Sequence, residues 1–192
     1  MPKASGKVFA PMTPEHDEPR AESEASSGER MAAENAWRLL HDYRRQPGTL
    51  DNGEIDADAC RGFIDRALDL CRARDRSTLG EQAIGGILAH APIGEDGPWP
   101  GFPARDILDR AELSQMRTGF EVGTFNKRGV TSRAMDEGGI QERDLADQCR
   151  RNATGLAASH PHLAESLERI ARGYECDAKR HDDDAALNQE RY

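Results

Sequence analysis

At 192 residues the chain is long enough for one domain with its own core and too short for two large ones. Charged side chains make up 32% and the formal net charge is −9, which argues against a nucleic-acid partner, since phosphate backbones require a basic face. No apolar run approaches the roughly 20 residues of a membrane helix, and Lys3 and Lys7 have no apolar core of a secretory signal behind them.

Residues 1–29 read as a disordered leader. Pro2, Pro11, Pro14 and Pro19 precede a Glu/Ser/Ala stretch with little to bury beyond Val8, Phe9 and Met12. A first helix is expected from Arg30 to the Pro47-Gly48 stop, with Ala33, Trp37, Leu40 and Tyr43 on one side. Asp51-Asn52-Gly53 centres a turn, and Asp56 is placed to cap a helix from Ala57 to about Arg74. The inward stripe of that helix reads Cys60, Phe63, Ile64, Ala67, Leu68 and Cys71. The same turn fails as a calcium loop, because an EF-hand needs glycine at its sixth position and this register puts Asp56 there.

Thr78 and Glu81 have capping-box spacing for a helix from Leu79 to about His90, whose apolar set is Leu79, Ala83, Ile84, Ile87 and Leu88. Gly85-Gly86 inside this set points to a close helix–helix approach. The proline-rich stretch 91–103 excludes a helix interior and reads as a rigid loop carrying Trp99 and Phe102. A helix over 104–116 follows, with Ile107, Leu108, Ala111 and Met116 inward. The segment 117–139 then reads as a second long loop, because Gly119, Gly123, Gly129, Gly138 and Gly139 punctuate it. Helices are expected over 140–159 (Leu145, Ala146, Cys149, Ala153, Leu156) and from His162 towards Leu187 (Leu163, Leu167, Ile170, Ala171, Tyr174, Ala178). His160-Pro161 separates them, and residues 181–192 read as an acidic, frayed tail.

The expected fold is therefore all-α: one bundle-like domain of five to six helices over residues 30–180, with two long Gly/Pro-rich loops. Cys60, Cys71, Cys149 and Cys176 form no Cys-x-x-Cys pair and fall at apolar helical positions, so free buried thiols in a cytoplasmic protein are expected. No nucleophile elbow, zinc helix, phosphate loop or dinucleotide fingerprint occurs. Catalytic residues, a metal and a cofactor are accordingly not expected, and binding is easier to argue than catalysis.

The first functional reading is a protein–protein interaction module or small regulatory subunit. Its contact surface would be the 91–103 and 117–139 loops, with Trp99, Phe102, Phe120, Phe125, Asn126 and Arg128 touching the partner. A second reading makes the chain a phosphate- or nucleotide-binding protein using the basic loop 126–133, with an enzyme as one form of it. There Arg117, Lys127, Arg128 and Arg133 act as an anion clamp, and the amides after Gly138-Gly139 offer a helix start. Those basic side chains could instead brace neighbouring acids or the acidic tail. A third reading is an acidic inhibitor of a basic partner.

Overall fold

The computed structural model describes Gly28, Met31 and residues 43–129, 132, 134 and 137–189. Contacts divide the chain into two units, Met1–Trp37 and Arg38–Tyr192. Gly28 and Met31 are the described residues of the first, and both are exposed. The disordered leader and most of the expected first helix lie outside the described residues. Tyr43 to Gln46, the end of that expected helix, stand outside any helix.

Six α-helices and no strand occur among the described residues. Helix α1 spans Ala57–Arg72 and starts where its sequence sets it. The Asp56 carboxylate accepts from the amides of Asp58 (3.0 Å) and Ala59 (2.9 Å), meeting two of the four amides a helix start leaves unpaired. Its buried stripe is Cys60, Ile64 and Leu68, whereas Phe63 is 52% exposed, so the apolar face is narrower than its sequence implies. Helix α2, Ser77–Leu88, corrects the capping box: no side chain caps its first turn, and Leu79 is exposed.

The largest correction concerns residues 104–139. Helix α3 covers only Ala104–Leu108, and helix α4 runs over Ser114–Lys127, through much of the stretch expected to be loop. The glycines explain both the error and the structure. Gly119 and Gly123 lie four apart on one face of α4 and meet Gln82 and Gly86 of α2, while Gly85 of α2 meets Met116 and Phe120 of α4. A Cβ on Gly119 would fall inside the Gln82 backbone, and one on Gly85 inside the Met116 carbonyl. Weak helix propensity is thus offset by an approach that only hydrogen side chains permit.

Helices α5 (Ile140–Leu156) and α6 (Pro161–Gln189) form the second pair. Ala146, Cys149, Ala153 and Leu156 join Leu163, Leu167, Ile170, Ala171 and Tyr174 in one core with Met116 and Phe120 of α4. Of the four free cysteines, Cys60 and Cys149 are buried, while Cys176 is exposed, against its expected inward position.

The acidic run does not fray at Asp182. Its carboxylate accepts from the Gly139 amide (2.9 Å) and from Arg143 Nη1 (2.7 Å) and Nη2 (3.1 Å). Arg143 and then the Gly139 amide pull its pKa from 3.8 to about 2. A carboxyl whose folded pKa is depressed contributes stability above its unfolded pKa and loses that contribution as pH falls through the folded one. Asp182→Asn should therefore lower Tm at pH 7, and the gap to the parent should close between pH 4 and pH 2. A gap that persists at pH 2 would contradict this assignment.

Candidate functional site

The basic segment leaving α4 does not converge into the four-residue clamp expected from its sequence. Arg117 is buried, and its guanidinium donates to the carbonyls of Leu108 (3.0 Å), Arg110 (2.6 Å) and Ala111 (3.2 Å), closing the chain after α3. Arg128 pairs with the fully buried carboxylate of Glu142 on α5 and donates to Gln141 Oε1 (3.2 Å). Arg133 lies outside the described residues. The amide of Gly139 is taken by Asp182, so the anion at that helix start is the protein's own.

Of the expected partner contacts, Phe120 is fully buried beneath Trp99, with ring centres 5.0 Å apart. Phe125 is half-buried against Tyr174 at 4.8 Å and leans over Gly173. Both are core residues rather than contacts. Asn126 is exposed, and Phe102 is 51% exposed beneath the Arg61 guanidinium at 4.8 Å.

Lys127 is different. Its ammonium donates to the Ala89 carbonyl (3.2 Å) and stands 5.4 Å from the centre of the Trp99 ring. It forms no ion pair among the described residues, and burial lowers its pKa. It borders two concavities.

The first is a groove of about 590 Å³ over the α2–α4 seam. Gly86, Gly119 and Gly123 line it, giving a flat floor. Arg44 and Lys127 supply charge, His90 supplies a protonatable ring, and Tyr43, Gln82, Thr118 and Asn126 supply hydroxyls and amides. Among the described residues, no aspartate or glutamate lines this groove. Arg44 likewise forms no ion pair among the described residues. The His90 imidazole has its pKa lowered by burial first, then by Lys127 and Arg44, so both cations bear on it.

The second concavity, about 330 Å³, has walls of Ile93, Trp99, Leu145, Cys149 and Tyr174, with Thr124, Lys127, Arg128, Gln148 and Asn152 also lining it. Trp99 is fixed on both sides: its amide donates to Asn152 Oδ1 (3.1 Å) and its indole N–H to the Ala91 carbonyl (2.9 Å). Burial pushes the Cys149 thiol to about 11 and the Tyr174 phenol to about 12. Both are neutral at pH 7, so this pocket offers no activated thiolate or phenolate.

One serine–histidine–aspartate chain occurs where α5 passes to α6. Ser159 Oγ lies 2.7 Å from His160 Nδ1, and His160 Nε2 lies 3.0 Å from Asp106 Oδ1. Ser159 Oγ also lies 3.4 Å from the Leu156 carbonyl, at the C-terminal end of a helix. That end carries partial negative charge, the wrong sign for an oxyanion, so the chain acts as a brace between helices. No group of three His, Cys, Asp or Glu placed to hold a metal occurs among the described residues.

Sequence reading found Lys127 but missed Arg44 and His90. Nothing local marks either as functional: His90 reaches Lys127 because α2 packs on α4, and Arg44 reaches the groove from the segment before α1. No protein-family model, curated protein or solved structure matches the chain.

Proposed function

We propose that the chain is a helical binding module for an anionic ligand, held by Arg44, His90 and Lys127 above the glycine floor. The observation that carries this reading is a groove lined by three cationic or protonatable side chains and, among the described residues, no carboxylate, in a protein of net charge −9. An arginine fork, a lysine ammonium and an imidazole beside flat backbone are the groups that recognise phosphate and carboxylate. Binding is proposed rather than catalysis, because no carboxylate or thiol stands beside His90 among the described residues of the groove.

A protein–protein role is the second reading. Phe102 and Ile93, 51% and 63% exposed, favour it, since both stand on a loop held rigid by the Arg105–Asp96 pair (2.6 Å). An inhibitor acting through a free acidic tail has less support, because Asp182 is bound within the chain. A cytoplasmic setting agrees with the four free thiols, and no described helix is long and apolar enough to cross a membrane.

Thermal denaturation in rising inorganic phosphate tests the reading at low ionic strength. A ligand at ten times its Kd stabilises the native state by about 1.4 kcal/mol, a rise of a few degrees in Tm for a chain of this size. Arg44→Ala should abolish the rise without lowering the starting Tm, since Arg44 is exposed; Lys127→Ala should abolish it too, with a lower starting Tm because its bond to the Ala89 carbonyl is lost. An unchanged rise in both variants, or none in the parent, would overturn the groove as the anion site.

A further inference from the structure

We infer that the anion of the groove is the phosphate of a monoester whose other half is a flat aromatic ring, and that the ring enters the pocket beside Trp99. This rests on the groove being the anion site. Lys127 borders both concavities, so one ammonium faces the phosphate on one side and the Trp99 ring, 5.4 Å away, on the other. Charge selects the head group. A phosphate monoester carries about −1.5 to −2 at pH 7, which suits Arg44, Lys127 and a protonatable His90, whereas a carboxylate would leave charge uncompensated.

Shape selects the other half. A pocket of about 330 Å³ is at the small end for ligand sites, enough for one ring system. Its walls are largely apolar, and Trp99 is already fixed by its two hydrogen bonds and its stack on Phe120. A pre-set aromatic wall loses little freedom when a ring docks. The side-chain amide nitrogen of Asn152 and the exposed amide of Gln148 stand at the pocket's edge, able to meet ring heteroatoms. Aryl phosphates and nucleoside monophosphates both carry this chemistry.

Isothermal titration of the full chain with inorganic phosphate, phenyl phosphate and adenosine monophosphate separates the claims. Stacking a ring on an aromatic side chain should tighten binding about tenfold or more over inorganic phosphate. Trp99→Leu should remove that gain, so that phenyl phosphate and adenosine monophosphate bind no tighter than inorganic phosphate. Should Trp99→Leu fail to fold, Leu145→Trp, which fills the pocket from its half-buried wall, should have the same effect. In a Trp37→Phe background, Trp99 is the sole tryptophan, and the ring-bearing probes should quench its emission while inorganic phosphate does not. If all three probes bind equally, or if neither pocket variant changes the order, the ring inference fails and the groove remains an anion site. If none binds, the groove reading fails and this inference with it.

Discussion

Alanine at Gly85 or Gly119 should each cost about 3 kcal/mol or more, enough to leave much of the protein unfolded at 37 °C. The added methyl would overlap backbone, not a flexible side-chain end: the Met116 carbonyl for Gly85 and the Gln82 backbone for Gly119. Backbone of a packed helix cannot step aside, so α2 and α4 would have to separate. Separation would expose Ile84, Leu88, Met116 and Phe120, all buried now. Gly62→Ala is the control. That glycine sits in α1 with open space where its Cβ would go, and alanine there should raise stability by about 0.5–1 kcal/mol. Urea midpoints for the three variants check this directly. Equal small losses at Gly85 and Gly62 would mean that the seam is not as close as described.

The second large effect is expected at Glu142. Its carboxylate is fully buried and holds the half-buried Arg128, with His181 Nε2 at 3.8 Å. Removing one partner of a buried pair strands the other, and the usual cost is about 3–5 kcal/mol. Glu142→Ala should therefore destabilise, and Arg128→Met at least as much, because Glu142→Ala leaves an arginine that reaches solvent whereas Arg128→Met takes the cation from a fully buried carboxylate. The double variant Glu142→Leu with Arg128→Met should recover a good part of the loss, since apolar replacement of both partners avoids a stranded charge. A double variant no more stable than Glu142→Ala would show that the pair is not what fixes α5 to the segment after α4.

These two sites also show what was readable from sequence. The all-α class, the Asp56 cap and the inward faces of α5 and α6 follow from periodicity and local chemistry, which act within a few residues. The close approach at Gly85-Gly86 was legible too, because two glycines inside an apolar set are costly without such a reason. Its partner was not. Gly119 and Gly123 look like loop punctuation until α2 is laid against them, and the benefit that makes them helical is tertiary. The candidate site divides in the same way. Lys127 and Trp99 stand out as residue types in unusual settings, while Arg44 and His90 acquire meaning only through packing. Arg117 and Arg128 illustrate the opposite error. An arginine fork suits carbonyls and buried carboxylates as well as ligands, and a local charge count cannot tell these uses apart.

The most direct measurement is an amide and histidine-ring NMR titration with inorganic phosphate. Shifts confined to Gly86, His90, Gly119, Gly123 and Lys127 are expected, with the His90 pKa rising as the anion offsets Lys127 and Arg44. Shifts centred on Gly139 and Arg143, or an unmoved His90 at saturating phosphate, would contradict it.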